Sequence, residues 1–350
     1  MITIQTSVSK GWLHANGGFR FDESYYFDPL HRWQQDRAVE QFLLARLPGY
    51  PFFNMESNLV QHAHFSPNQV LVGALQPNLI VGACLGAELV FSAERDADIA
   101  GRPLEDLAST ADLPEPTSLL EHPLIRRWDA QVESLRQTRP DLRVIPPFFW
   151  DTSGRATIHG FITTALKLCG ESIFLRVYDE PEFVTAIHDW ITSVYLALIR
   201  HYSRLGALPV TSVHIGECSG TMLRPDHYEQ FVIPFASRLG RELGAVRLHS
   251  CGRSDHLLPA IAAIENLQVL DSGSHTSVAA IRARFGREFR LNLAPPAELL
   301  LASAPRAGVE AWLDRTLAEN AGGPLQIAYH LEPGYSQENC LAIHEALRRR

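Results

Sequence analysis

The run Leu248-His249-Ser250-Cys251-Gly252 sets an imidazole and a thiol two positions apart. On a β-strand that spacing puts both side chains on one face, and Gly252 lets the backbone turn sharply afterwards. A histidine and a soft thiolate make half of a zinc site. A buried cysteine beside a hydrogen-bonded histidine is equally a common packing pair, so the pair alone does not choose between the two. Its neighbourhood adds weight. Glu217-Cys218, Asp271, Asn292 and the pair His330 and Glu332 each close a β-rich run, and in a parallel arrangement all of those ends face one mouth. Taken singly, Asp271 and Glu217 read as helix caps; taken together, the cluster reads as an active site. Asp151, which follows the run 142–149, is placed at the same mouth as a substrate-binding group or base. His62 and His64 share a face of an extended segment and are candidates for the substrate end of the pocket, with polar packing at the rim as the alternative. No phosphate-binding glycine loop is present, and Ser153 lacks a nucleophile-elbow context, so hydrolase chemistry finds no support.

The elements that must carry these residues alternate. From about residue 140, strands are expected at 142–149, 210–216, 245–249, 267–271, 289–293 and 325–331. Helices are expected at 156–169, 182–205, 225–243, 254–264, 277–285, 306–320 and 336–349. Strands and amphipathic helices in turn, joined by short links, define parallel βαβ units. Doubly wound sheets and closed barrels both satisfy that pattern. The first 140 residues are less regular: helical pattern at 36–47, Ser66-Pro67 as cap and first turn of a helix through Leu75, a strand at 88–92 and a long helix at 119–136. With no internal repeat or linker, a single domain over 1–350 is expected, with 1–140 forming an N-terminal elaboration and the first barrel elements, and 141–350 the core.

Composition excludes several classes. The chain has 350 residues, 46% of them hydrophobic, enough for a large core. Acids outnumber bases 39 to 31, and the net charge of −8 leaves no basic stripe for nucleic acid. Arg348-Arg349-Arg350 reads as a helix C-terminus complementing its dipole. Five scattered cysteines are not a disulfide framework and suggest a reducing compartment. Residues 57–87 carry no charge, but Pro67, Pro77, Asn58, Asn68, Asn78, His62 and His64 disqualify them as a membrane span. Met1 to Thr6 show no signal-peptide pattern. A cytoplasmic protein with no nucleic-acid or membrane partner is the expectation.

His249-Ser250-Cys251-Gly252, the segment from Asp255 to Ile264 and the strand ending near Asp271 together resemble the core of the uroporphyrinogen decarboxylase superfamily. Leu223-Arg224-Pro225-Asp226-His227-Tyr228-Glu229 with the residues on to Pro234, Asp179-Glu180-Pro181-Glu182-Phe183-Val184 and Glu338-Asn339-Cys340-Leu341 match as well, and Asp28-Pro29-Leu30-His31-Arg32 fits loosely. The resemblance is good over roughly 140–350 and poor before that. It implies a (β/α)8 TIM barrel with an irregular N-terminal elaboration and a site at the carboxyl mouth. The superfamily also contains the zinc-dependent methylcobamide:thiol methyltransferases of the coenzyme M type. Its decarboxylases carry an N-terminal arginine-rich signature, near Arg-Gln-Ala-Gly-Arg, that grips the substrate's acid groups. Gly17-Gly18-Phe19-Arg20 is no substitute for it, and Ser153-Gly154-Arg155 comes too late in the chain.

The methyltransferase branch binds zinc through a His-x-Cys pair, here His249 and Cys251, and a cysteine at the end of the last strand. Alignment on Glu338-Asn339 puts Tyr329 at that last position. The third ligand is therefore assigned to His330, with Glu332, Glu217, Cys218 and Cys340 as alternatives, since zinc accepts S, N and O donors. The resemblance implies a zinc-dependent methyltransferase that moves a methyl group from a methyl-corrinoid, carried on a partner corrinoid protein, to a small-molecule thiol. Glu217 and Asp151 are its expected catalytic carboxylates; His62, His64, Asp271, Asn292 and Tyr329 are the expected substrate contacts. The alternative is a metal-independent decarboxylase or lyase acting on a small carboxylated substrate, for which Arg20, Arg32 and Arg155 offer cations without clustering in the sequence.

Overall fold

A computed structural model describes residues 2–50, 52–54 and 68–349. Twelve strands run in chain order: β1 (Ile2–Val8), β2 (Phe52–Asn54), β3 (Gln69–Leu71), β4 (Glu88–Val90), β5 (Asp98–Ala100), β6 (Arg143–Ile145), β7 (Arg155–His159), β8 (Ser212–Gly216), β9 (Ala245–Ser250), β10 (Leu267–Ser272), β11 (Arg290–Leu293) and β12 (Leu325–Leu331). Eight of them form one parallel sheet in the order β2-β1-β12-β11-β10-β9-β8-β7. β3 pairs with β6, and β4 with β5, in separate ribbons. Among the described residues no ladder joins the two outer strands β2 and β7, so the barrel of the sequence reading is present as a curled parallel sheet.

Alternation within each strand sorts its side chains between the two faces of the sheet. In β12, Leu325, Ile327, Tyr329 and Leu331 are buried on the outer face, whereas Gln326, Ala328 and His330 are half-buried and face inward. Val213 and Ile215 of β8, Val246 and Leu248 of β9, and Ala156 and Ile158 of β7 are likewise fully buried. Those of β8 and β9 pack under the helix Ile233–Leu243, whose buried stripe includes Phe235, Ala236, Leu239 and Leu243. The inward set is polar: Arg155, Thr157 and His159 on β7, His214 on β8, Arg247 and His249 on β9, Asp271 on β10 and His330 on β12. An interior of this kind is filled by branched apolar side chains in most such barrels, so a polar one marks a site rather than a core.

Several local expectations need correction. Residues 156–159, read as the start of a helix, belong to β7, and the helix is confined to Phe161–Cys169. Pairing with β8 overrides whatever helical pattern the segment carries. The helix expected through Leu75 is instead β3, and the strand expected over 142–149 shortens to β6 before Pro146-Pro147. The helix expected over 225–243 breaks at Val232, two residues before Pro234. β1, a strand absent from the expected set, lies between β2 and β12. No helix among the described residues is long and apolar enough to cross a membrane.

Candidate active site and metal centre

The register of the sheet assembles the site. In the β9–β10 ladder Asp271 lies directly beside His249, and in the β8–β9 ladder Gly216 does. Glu217 N donates to the His249 carbonyl, so the chain leaving β8 stays close to β9 and delivers Cys218 beside Cys251. One donor atom from each of Cys218, His249 and Cys251 falls within 4.8 Å of the other two.

Support for this group comes from behind and above. The carboxylate of Asp271 accepts from His249 Nδ1 at 3.2 Å and from Arg247 Nη2 at 2.5 Å. With Nδ1 committed to Asp271, Nε2 is the nitrogen left for a metal, as in carboxylate–histidine–zinc arrangements. The loop after β9 is pinned by a Ser250–Ser254 hydroxyl pair at 2.7 Å and by Ser254 N donating to Thr276 Oγ1 at 2.9 Å. Thr221 Oγ1 donates to the Cys218 carbonyl at 3.0 Å. Gly273 admits the Cys251 backbone so closely that any Cβ there would overlap the Cys251 carbonyl.

Electrostatics follow the geometry. Hydrogen bonds from Cys218 and His249 push the Cys251 thiol well down, towards thiolate. Cys218, donating to Cys251 and partly buried, is pushed up. Burial alone would lower the His249 pKa, but Asp271 and Cys251 override it and raise it to about 9. Burial would raise Asp271, and here Arg247 and His249 hold it far below the usual carboxylate range. His159 and His330 are each lowered to about 4, chiefly by burial. The donor set of two thiols and an imidazole, one thiol already favouring its anion, suits zinc and leaves a fourth position open towards the cavity.

That cavity, of about 510 Å³, sits at the carboxyl ends of the strands. Cys218, His249, Cys251, Asp271, His330 and Glu332 line it together with the apolar walls Tyr26, Trp150 and Leu300. Lys10, buried in its wall, pairs with Asp96 at 2.5 Å.

The expected site residues divide. His249, Cys251 and Asp271 meet as described. His330 borders the same cavity, but its Nδ1 pairs with Ser7 Oγ at 2.6 Å and it lies outside the three-residue donor group, where Cys218 stands instead. Tyr329 also borders the cavity, yet its hydroxyl donates to the Cys340 carbonyl on the outer side of β12, because neighbours on a strand face opposite ways. Glu217 is fully buried and turned away: Thr163 N and Thr163 Oγ1 both donate to its Oε1, so it caps the helix Phe161–Cys169. Asp151 does not reach the mouth. With β6 ending at Ile145, it leads into β7 at the opposite end and accepts from Ser153 N at 2.8 Å. Asn292 also faces that opposite end and donates to Gln326 Oε1 at 2.8 Å. His62 and His64 lie outside the described residues. Lys10, His159 and His214 line the cavity without having been singled out in the sequence. For His159 and His214 the signal was period-two polarity inside runs read only as strand or helix.

Comparison with known proteins places the chain. The sequence profile described as uroporphyrinogen decarboxylase (URO-D) matches residues 68–348. The chain belongs to the uroporphyrinogen decarboxylase family. The match starts well before residue 140, earlier than the motifs alone suggested. A uroporphyrinogen decarboxylase of Geobacter sulfurreducens is 24% identical over 274 residues, covering 71% of this chain and 77% of its own. That of Geobacter metallireducens is 26% identical over 302 residues, covering 79% and 83%. Among solved structures, a methyltransferase from Methanosarcina mazei superposes with a TM-score of 0.63 at 16% identity, over 99% of this chain and 91% of that one. At that identity the likeness is one of fold.

Proposed function

We propose that this protein is a zinc-dependent methyltransferase that passes a methyl group from a methyl-corrinoid, carried by a partner protein, to a small-molecule thiol. The observation that carries the reading is the convergence of Cys218, His249 and Cys251 within 4.8 Å at the mouth of the sheet, with Asp271 behind the imidazole. Zinc bound there would lower the pKa of a substrate thiol at its open position, so that the thiolate is the nucleophile near neutral pH. The chain's own residues do the rest. Asp271 fixes the His249 ring and its tautomer, and Arg247 fixes Asp271. Tyr26, Trp150 and Leu300 shield the reacting end from water, which strengthens every charge interaction inside.

The test is thiol-dependent demethylation of a methyl-corrinoid, followed by its absorbance. Activity in the zinc-loaded protein and its loss in Cys251→Ser with an unchanged far-UV spectrum are expected; full activity in that variant contradicts the reading. The relatives named uroporphyrinogen decarboxylase favour a second reading, a metal-independent decarboxylase on a carboxylated substrate. It predicts turnover insensitive to chelators.

A further inference from the structure

At the other end of the sheet, where the strands begin, a second cavity of about 480 Å³ opens. Arg155 of β7, Arg247 of β9 and Arg290 of β11 line it, and among the described residues no acidic side chain does. Ser212 and Gln326 add neutral hydrogen-bonding groups. Two of the three guanidinium groups are deep inside: Arg155 is 4% exposed and Arg247 8%. A buried charge is costly unless it is paired and hydrogen-bonded, yet Arg155 Nη2 and Arg247 Nε have no hydrogen-bond partner among the described residues. Arg247 spends Nη2 on Asp271, on the mouth side, which leaves its Nε unused. Burial, with Arg247 repelling, lowers Arg155 to about 9, against the partial attraction of Asp151 and Asp271. Arg290, exposed at the rim, forms no ion pair among the described residues.

We propose that this basal cavity binds a small oxyanion, a phosphate or a carboxylate group, held by Arg155 and Arg247 within and by Arg290 at the rim. Planar guanidinium groups suit either anion because their paired N–H donors match two oxygens at once. The site lies at the opposite end of the sheet from the mouth, with Arg247 lining both cavities, and occupying it requires no break in the Arg247–Asp271 contact. The cavity exceeds a bare phosphate, so a polar body bearing the anionic group fits.

Isothermal titration of the full chain with inorganic phosphate and, separately, with citrate tests this and distinguishes the two anion types. One saturable site for at least one of them is expected, weakening as salt rises. Arg155→Met should abolish it. Because that buried substitution can impair folding, the rim variant Arg290→Ala carries the test independently, with an expected loss of about tenfold in affinity, whereas Lys10→Ala at the opposite mouth should leave it unchanged. No saturable binding of either anion overturns the assignment, as does an affinity that Arg290→Ala leaves intact or that Lys10→Ala abolishes.

Discussion

Replacing Asp271 with asparagine keeps the shape of the side chain and removes its charge. In the native protein that carboxylate lies 3.2 Å from His249 Nδ1 and 2.5 Å from Arg247 Nη2, and the Arg247 and Asp271 side chains are 9% and 14% exposed. Two effects are expected. Loss of the group that orients a metal-binding histidine typically lowers metal affinity 10–100-fold, or about 1.4–2.7 kcal/mol. Leaving a buried guanidinium without its counter-charge costs about 3–5 kcal/mol of stability, and the lower end applies here because two cavities let water reach Arg247. The acid limb should change too. Asp271 is held well below its unfolded value, so its stabilisation is present above about pH 4 and is lost as the pH falls further. Asp271→Asn should therefore flatten the acid-side loss of stability. Zinc affinity is read by competition with a chromophoric chelator, and stability by urea unfolding at several pH values. Wild-type zinc affinity in Asp271→Asn would refute the assignment of Asp271 as the orienting group.

Other expectations follow from single contacts. Cys218→Ser should lower zinc affinity sharply, while His330→Ala should leave stoichiometry at the wild-type value; the opposite pattern, read by metal analysis, would move the third ligand to β12. Glu217, raised to about 7 by burial against its hydrogen bonds from Thr163, favours folding fully below about pH 4.5, and that contribution is lost as the pH rises through about 7. Glu217→Gln should remove this slope, worth at most about 3 kcal/mol, in unfolding experiments from pH 4 to 8, and a residual slope equal to wild type would contradict it. Gly273→Ala would force a Cβ onto the Cys251 carbonyl, so zinc should be lost along with about 1–3 kcal/mol of stability, measured by metal content and thermal unfolding.

Much of the architecture was legible because the strands after residue 210 write their two faces into the sequence. Leu-x-Ile-x-Tyr-x-Leu in β12 and Val-x-Leu in β9 are outward apolar sets, and their inward partners include His330, Arg247 and His249. β7 was hidden because Arg-Ala-Thr-Ile-His runs almost directly into the helix Phe161–Cys169, and only pairing with β8 fixes its state. β1, Ile-Thr-Ile-Gln-Thr-Ser-Val, shows the same period but was read only for a targeting signal.

The site divides along the same line. His249 lies on β9 and Cys251 one residue past its end, so spacing alone brought them together. Cys218 lies two residues past the end of β8 and joins them only through the β8–β9 register, which a sequence does not display. Glu217, its neighbour, looks equally suited to the mouth, but the free N–H groups at the start of the helix Phe161–Cys169 take it as a cap. Asp151 was misplaced because the strand before it ends at Pro146-Pro147, which moves the residue to the far end of the next strand.

The central claim is a metal held by Cys218, His249 and Cys251. X-ray absorption at the zinc edge on the reconstituted protein tests it most directly. One zinc per chain with two sulfur neighbours at about 2.3 Å and one imidazole nitrogen at about 2.0 Å is the predicted shell, falling to one sulfur in Cys218→Ser. A shell without sulfur, or no zinc retained after reconstitution, would contradict the account.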